Sequence, residues 1–246
     1  MFRSLRPLLA LAFLAPLTPL TAAAVSPGEK VSTTHDAWGH RPGARGFSTV
    51  ILDAGHGGKD PGATSRVTGQ REKDLTLDMV QRVRRELGGS VRTVLTRSSD
   101  TFVELDDRVR SAKRSNDAIL VSIHFNSGPS RIAGPEVYFW RVDSYTLGRR
   151  IQAALSRVTG NHSSRGLVRR RLRLTRNPDL ACVLVECGYL SNSREAKLIT
   201  QAGYRARLAK AIARAILDQR AEGDGRLGPL PRPLNEPPSK GTDRRE

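Results

Sequence analysis

A regular alternation of short apolar runs and segments with helical spacing, between residues 48 and 217, constrains the fold most. Continuous apolar runs are typical of buried strands, whereas apolar residues three and four positions apart indicate amphipathic helices. Strands that alternate with helices favour parallel pairing. We therefore expect an α/β fold: a single-domain sandwich with a central mixed, largely parallel sheet flanked by helices. The expected strands are 48–53, 91–95, 118–124, 136–140 and 182–186, and the expected helices are 73–87, 103–114, 145–158 and 204–217.

The first 24 residues have the order of a secretory signal peptide. Arg3 and Arg6 precede an apolar stretch, which ends at three small residues, Ala22–Ala24. A retained membrane anchor is the alternative, but two prolines interrupt a stretch that is already short for a bilayer. We expect cleavage of residues 1–24, no membrane span afterwards, and an exported protein that is periplasmic, secreted or associated with the cell wall.

Composition divides the rest of the chain into three parts. Residues 25–47 are mostly polar and are expected to form a linker, whereas residues 48–220 carry the alternating pattern of a folded domain. Residues 221–246 contain five prolines and four glycines, a composition typical of a disordered tail. A hydrophobic content of 38% is sufficient for one core and argues against both a disordered chain and a polytopic membrane protein.

The chain is strongly basic, with 41 Lys+Arg against 24 Asp+Glu and a formal net charge of +17. Such a charge favours nucleic acid or an anionic surface as the partner. Export and the absence of aromatic residues interleaved with the basic ones argue against nucleic acid. Residues 141–176 contain ten arginines and one aspartate. A solvated helix face accounts for about half of these arginines; we expect the others to bind anionic cell-envelope polymers, and the protein to be a monomer.

The only cysteines are Cys182 and Cys187, which is too few for a disulfide framework or a zinc ribbon. Residues five apart on a strand point to opposite faces, too far apart for a bridge. We expect two packed free thiols.

Two histidines lie at the ends of predicted strands, where α/β folds place their functional sites. His56 follows the first strand in a glycine-rich loop, and His124 ends the strand 118–124. A catalytic zinc site usually has three protein ligands of nitrogen and oxygen type. Glu72, at the start of a predicted helix, is the candidate third ligand, although an acidic residue there also simply favours the helix dipole. Spacing alone leaves both interpretations of Glu72 open.

Glu186 ends another buried strand. A charge at such a position is costly unless it is paired, so a structural ion pair and a catalytic role are the two interpretations. Beside a water activated by zinc, this carboxylate could accept a proton and later return it to a leaving amine.

Five segments of the chain, in this order, resemble the zinc-dependent N-acetylmuramoyl-L-alanine amidases of the amidase-3 type. They are 51–63 (ILDAGHGGKDPGA), 72–75 (EKDL), 95–97 (LTR), 122–126 (SIHFN) and 183–192 (VLVECGYLSN). Five motifs in the order of the family make the resemblance specific, and it covers about residues 48–219.

The resemblance implies that His56, Glu72 and His124 bind one zinc ion per chain and that Glu186 is the general acid/base. It implies peptidoglycan as the substrate, cut at the amide between the lactyl group of N-acetylmuramic acid and L-alanine, in wall remodelling or daughter-cell separation. A related zinc peptidase acting on another wall bond, or a wall-binding protein without activity, are the alternatives.

Three further residues are candidates for supporting roles. Arg97 and Arg108 either orient loops around the site or make surface contacts and ion pairs, and Asp53 is a candidate partner of a ligand histidine. Some relatives carry a long insertion after the strand equivalent to 136–140, and a helix of that insertion plugs the zinc site. Here only residues 141–144 precede the next helix, so we expect a site that is open without an activator.

Overall fold

The structure is a computed structural model that describes residues 43–111, 117–160, 166–176 and 180–225. The predicted signal peptide, residues 1–24, and the predicted tail beyond residue 225 lie outside the described residues. No helix within the described ranges is long and apolar enough to cross a membrane.

The described chain forms a six-stranded sheet with five α-helices, which confirms the predicted α/β fold with a mixed, largely parallel sheet. The strands are β1 (Thr49–Ala54), β2 (Arg92–Leu95), β3 (Ala118–Asn126), β4 (Glu136–Phe139), β5 (Leu167–Arg169) and β6 (Ala181–Tyr189), in the order β2-β1-β3-β6-β4-β5. Every neighbouring pair is parallel except β4 and β6. The helices are α1 (Glu72–Leu87), α2 (Leu105–Ser111), α3 (Tyr145–Thr159), α4 (Ser193–Thr200) and α5 (Ala202–Glu222).

The two faces of the sheet have different surroundings because side chains alternate along each strand. On one face, residues such as Val121 and Val183 pack against α1, α3 and α5 in the main hydrophobic core. On the other face, Leu120 and Cys182 belong to a smaller cluster that includes Val109 of α2. We refer to these as the helix face and the cleft face.

The same alternation separates the two cysteines. Cys182 lies in the cleft-face cluster, and Cys187 lies in the helix-face core. Both are buried free thiols, as predicted. Burial raises the pKa of the Cys187 thiol well above its usual range, which makes it a poor nucleophile.

Two elements were not predicted. β5 is a three-residue edge strand within an arginine-rich segment, where no alternation indicates it. α4 begins after Asn192, whose side-chain oxygen accepts hydrogen bonds from the backbone N–H groups of Arg194 and Glu195, both at 3.1 Å. An asparagine before a helix is a recognised N-cap signal, so α4 was detectable in principle.

The packed region extends beyond the predicted domain limits of 48 and 220. Phe47, assigned to the linker by composition, is completely buried in the main core. The Gly46 N–H donates to the carbonyl of Arg220 at 2.8 Å, and the Gly43 N–H donates to Asp224 Oδ2 at 2.7 Å. One buried phenylalanine among polar residues produces no periodic pattern, so only tertiary packing assigns this segment to the domain. Helix α2 also begins two residues later than predicted, at Leu105.

Candidate metal centre and catalytic cleft

The three residues implied as zinc ligands come together at the carboxyl ends of β1 and β3. His56 Nε2 lies 3.1 Å from Glu72 Oε1, and His124 Nδ1 lies 3.0 Å from the same oxygen. The two imidazole rings meet edge to face, with centroids 5.0 Å apart. One ligand atom from each residue lies within 4.8 Å of the others. This cluster could hold a metal ion through two nitrogens and one oxygen.

His56 has a backbone conformation that residues other than glycine rarely adopt. Its φ is 61°, the only positive value for a non-glycine residue in the described chain. Such a conformation costs of order 1–3 kcal/mol and persists where the surroundings enforce it. Here Arg97 and Arg108 supply the constraint, because they donate hydrogen bonds to three consecutive carbonyls of the loop, those of Ala54, Gly55 and His56.

Two glycines of this loop leave room for the histidine rings. A Cβ added at Gly55 would lie 2.2 Å from Cε1 of His124. One added at Gly62 would lie 2.6 Å from Cδ2 of His56, and Gly62 also has a φ of 63°. Backbone and imidazole therefore approach more closely than any side chain permits, which is a physical reason for the glycine-rich sequence of the loop.

Glu72 is held from both sides at the first turn of α1. Its Oε1 accepts the Phe125 N–H at 3.0 Å, and its Oε2 accepts the Ala63 N–H at 2.9 Å. Burial opposes ionisation of this carboxyl group, but hydrogen bonds and charge from His124 and His56 keep its pKa well below the usual range. Glu72 is thus an ionised, oriented carboxylate at the centre of the cluster.

A residue that the sequence analysis missed supports His56. Asp60 Oδ2 lies 2.8 Å from His56 Nδ1, and Asp60 Oδ1 accepts the Gly62 N–H at 3.0 Å. Although burial lowers the pKa of His56, hydrogen bonds and charge from Glu72 and Asp60 raise it to about 9. A carboxylate on one ring nitrogen leaves the other for a metal. The available signal was an acidic residue four positions after the loop histidine.

Asp53 does not have the predicted contact with a ligand histidine among the hydrogen bonds of the described residues. Its Oδ1 accepts from Arg108 Nη1 at 2.7 Å and from Thr96 Oγ1 at 2.6 Å, and its Oδ2 accepts from Ser122 Oγ at 2.6 Å. Burial by itself would raise the pKa of Asp53. The charge of Arg108 and the hydrogen bonds from these hydroxyls outweigh burial and hold the pKa below its usual value. Asp53 therefore positions Arg108, which in turn holds the His56 loop.

Arg97 and Arg108 are buried, with 4% and 5% of their surfaces exposed. Arg97 links the loop to α1, since its Nη2 donates to the carbonyls of Gly55 and Lys73 at 2.9 and 2.8 Å. Of the two predicted alternatives, the contacts of both residues correspond to loop orientation. Arg108 also forms an ion pair with Asp53. Both side chains are buried, so neither makes surface contacts.

Glu186 lies beside the cluster on the neighbouring strand. It is the register partner of His124 in the parallel pair β3–β6, so the two side chains project from the same face of the sheet. Glu186 is 8% exposed. Glu136 of β4 is its partner on the other side and was not predicted; its carboxylate accepts hydrogen bonds from the hydroxyls of Tyr138 and Tyr189, both at 2.6 Å.

The cluster opens into a cleft of about 250 Å³ on the cleft face. His56, His124 and Asp60 are among its lining residues, and Leu174 and Leu184 contribute apolar surface. Between β4 and α3 the chain consists only of Trp140, Arg141 and a short 3-10 turn, Val142–Ser144. This stretch is fully described and contains no longer insertion.

Comparison with known proteins identifies relatives of this chain. The model of the amidase-3 family, described as N-acetylmuramoyl-L-alanine amidase, matches residues 50–218. A probable N-acetylmuramoyl-L-alanine amidase of Haemophilus influenzae, AmiB, is 31% identical over 223 residues, covering 67% of this chain and 50% of that protein. The N-acetylmuramoyl-L-alanine amidase LytC of Bacillus subtilis is 33% identical over 170 residues, covering 67% of this chain and 34% of that protein.

A solved structure shows the same fold. The crystal structure of N-acetylmuramoyl-L-alanine amidase from Clostridium difficile 630 superimposes with a TM-score of 0.67 at 29% identity, covering 70% of this chain and 96% of that one. The chain spans about half the length of AmiB and about a third of that of LytC. With a family match over residues 50–218 and this structural likeness, the chain belongs to the amidase-3 family of N-acetylmuramoyl-L-alanine amidases.

Proposed function

We propose that this chain is a zinc-dependent hydrolase of peptidoglycan, which cleaves the amide between the lactyl group of N-acetylmuramic acid and the L-alanine of the stem peptide. The observation that carries the proposal is the convergence of His56, Glu72 and His124 on one point, with Glu186 in register beside His124. Family membership supports the same bond as the target.

The chemistry of the donor set fits zinc. Two imidazole nitrogens and one carboxylate oxygen are the ligand types of a catalytic zinc site, which keeps a further position for water or substrate. His56, Glu72 and His124 would hold one ion per chain, and Asp60 would keep Nε2 of His56 directed at it. When bound, zinc polarises the carbonyl of the scissile amide and lowers the pKa of the attacking water.

Glu186 is the proposed general acid/base. Its carboxylate accepts a proton from the water whose oxygen attacks the amide carbon, and the same proton passes to the alanine nitrogen as the C–N bond breaks. The products are a free lactyl carboxylate on the sugar and a free amino group on L-alanine. The low exposure of Glu186 limits access of bulk water to the carboxyl group that transfers the proton.

The proposed place of action is the cell envelope, because peptidoglycan lies outside the cytoplasmic membrane. Export through residues 1–24 and contact with anionic envelope polymers through the arginines of residues 141–176 belong to the same proposal. The expected cellular role is wall remodelling or separation of daughter cells.

The test is digestion of purified peptidoglycan sacculi with the zinc-loaded protein, followed by mass spectrometry of the products and metal analysis of the protein. We expect glycan strands without peptides, intact stem peptides with a free L-alanine amino group, and one zinc ion per chain. Cleavage within the stem peptide would instead identify a zinc peptidase. Wall binding without any product would identify a non-catalytic protein.

A further inference from the structure

A second buried carboxylate lies next to the proposed general acid/base. Glu136 of β4 is the register partner of Glu186 in the antiparallel pair β4–β6. Residues directly opposite in such a pair project from the same face of the sheet, with Cβ atoms about 4.5–5.5 Å apart. The two carboxyl groups therefore stand side by side on the cleft face, and Glu136 is completely buried. Like charges in this arrangement are destabilising, so the second acidic residue requires an explanation.

Two tyrosine hydroxyls hold the carboxyl group of Glu136 in its charged form. Tyr189 Oη donates to Oε1 and Tyr138 Oη donates to Oε2, both at 2.6 Å. Oxygen–oxygen distances of about 2.5–2.7 Å are typical of hydrogen bonds from a hydroxyl to an ionised carboxylate. Hydrogen bonds of this kind favour the ionised form over the neutral one. Both tyrosines are themselves buried, so Glu136 is an anion supported from within the fold.

A β-bulge aims Tyr189 at this carboxylate. Directly after the pair His124–Glu186, β6 contains one residue more than β3. The extra residue interrupts the alternation of side chains along β6. Cys187 belongs to the helix-face core, and strict alternation would place Tyr189 on that face too, but its hydroxyl reaches Glu136 on the cleft face. Bulges beside functional sites often redirect a side chain in this way.

The connection between β4 and β6 has a carboxylate of its own. Glu195, in the first turn of α4, accepts the Gly134 N–H at 2.9 Å and the Tyr189 N–H at 2.8 Å. It thus ties the segment before β4 to the end of β6 through the backbone. For packing alone, an apolar side chain often fills a buried charged position at no loss of stability. The charge of Glu136 therefore indicates a role in the chemistry of its neighbour.

We propose that Glu136 is a positioning residue, which acts on the reaction through Glu186. Glu186 stands between Glu136 on β4 and the metal ligand His124 on β3. The negative charge of Glu136 repels the Glu186 carboxylate on one side, and the positive charge of an occupied metal site attracts it on the other. Both forces direct Glu186 towards the water that it deprotonates. The inference rests on the proposed function, in which Glu186 transfers the proton.

Replacing Glu136 with glutamine removes the repulsion while it keeps the shape of the side chain. The amide oxygen can still accept a tyrosine hydroxyl. The amide N–H group, in contrast to a carboxylate oxygen, can donate a hydrogen bond to Glu186. Such a bond would draw the Glu186 carboxylate towards β4 and away from the metal site.

The experiment is a double-mutant cycle on the full-length, zinc-loaded protein. It compares the unmodified protein, Glu136→Gln, Glu186→Gln and the double variant. The measurements are kcat and KM for a soluble muropeptide, with enzyme in excess for the slow variants, together with zinc affinity by chelator competition and the thermal unfolding midpoint. Glu86→Gln, at an exposed position of α1, loses the same charge and is the matched control.

We expect Glu136→Gln to lower kcat about tenfold, a part of the 10²–10⁴-fold that a general acid/base supplies, with KM and zinc affinity unchanged. In the Glu186→Gln background the same substitution should have no further effect, because no carboxylate remains to be directed. The control should behave like the unmodified protein. An unchanged kcat would overturn the proposal. An equal loss of kcat in both backgrounds, or a parallel loss of zinc affinity, would also overturn it, in favour of a structural role.

Tyr138→Phe replaces Glu136→Gln in the cycle if the latter unfolds well below the midpoint of the control. It keeps the carboxylate and the aromatic ring but removes the hydroxyl that holds Oε2. We expect a smaller loss of kcat at unchanged KM, and an unchanged kcat would contradict the proposal. Failure of the unmodified protein to hydrolyse the muropeptide would refute the proposed function and this inference together. Failure of the inference alone leaves the unmodified protein active, so the two failures are distinguishable.

Discussion

Three carboxylates near the candidate site are distinguished by their surroundings. Glu72 is buried among hydrogen-bond donors and is held ionised between two histidines. Asp60 is partly exposed and contacts the outer nitrogen of His56. Glu186 belongs to the neighbouring strand, where it projects from the same face as His124. The same chemical group is therefore suited to metal ligation, to orientation of a ligand, and to proton transfer, according to what surrounds it.

Replacing Glu186 with glutamine should remove hydrolysis while zinc remains bound. The amide keeps the size of the carboxylate but cannot accept the proton from water, and general acid/base groups contribute about 10²–10⁴-fold to rate. The measurement is turnover of a soluble muropeptide together with the zinc content of the same sample. Glu86→Gln, at an exposed position of α1, is the control. Unaltered hydrolysis by the Glu186 variant would contradict its assigned role.

Replacing Gly55 with alanine should displace the imidazole of His124. The added Cβ would lie 2.2–2.6 Å from three ring atoms, so the ring must move away from the other two ligands. We expect zinc affinity to fall by about 10–100-fold or more, as it does when the groups that orient a metal ligand are lost. Competition with a chelator measures it. Gly89→Ala serves as the control because a Cβ at Gly89 meets no atom within 4 Å; equal affinities would refute the steric argument.

Replacing Asp60 with alanine should weaken zinc binding through His56. Without the carboxylate 2.8 Å from Nδ1, the ring loses the partner that fixes its tautomer and orientation. Outer partners of this kind contribute about 10–100-fold to metal affinity. Chelator competition again gives the affinity, and Asp74→Ala, exposed on α1, tests for a general effect of lost charge. An unchanged affinity would mean that Asp60 does not support the ligand.

At the scale of elements, the loop that follows β1 is the critical connection. It carries His56 from the sheet towards α1. Its carbonyls accept hydrogen bonds from two buried arginines, Arg97 just after β2 and Arg108 in α2. The Asp53–Arg108 ion pair joins β1 to α2 at 2.7 Å. Three separate elements thus hold one strained segment, so the position of His56 depends on their packing.

Arg108→Met should destabilise the fold and disorganise the site together. Removing one partner of a buried ion pair leaves the other charge uncompensated, at a cost of about 3–5 kcal/mol. Urea unfolding measures the loss, and zinc affinity should fall in the same variant because the His56 carbonyl loses its donor. The Arg110→Met control removes an exposed ion pair with Asp107 and should change stability little. Similar stabilities for the two variants would contradict the importance of the buried pair.

Most elements were predicted because their signals are local. Apolar runs identified β1, β3 and β6, and helical spacing identified α1 and α3, with ends that differ from the structure by a few residues. β5 was missed because a three-residue edge strand in an arginine-rich segment is specified by its neighbour β4 rather than by its own pattern. α4 was missed although its Asn192 cap was visible.

At the scale of the whole molecule, the sheet separates two surfaces. The cleft face carries the candidate metal cluster, and on the helix face arginines of α3 and α5 line a groove. Only residues 140–144 connect β4 to α3, and from this short connection we expect an open cleft.

The short connection between β4 and α3 predicts activity without an activator. Purified protein should digest sacculi at the same rate with and without added cell extract, because no segment between β4 and α3 has to be displaced. The rates can be followed by release of soluble peptides, with extract alone as the control. A strong dependence on extract would show that access to the site is regulated after all.

The sequence by itself determined the fold class, the family and the residues that form the candidate metal cluster, since periodicity and compact motifs are local properties of the chain. Tertiary structure decided which groups contact one another across long separations. It showed that Asp60 hydrogen-bonds to His56 and that Asp53 pairs with Arg108, that Phe47 belongs to the core, and that arginines of both α3 and α5 line one groove. These contacts depend on the packing of side chains, which no local pattern records.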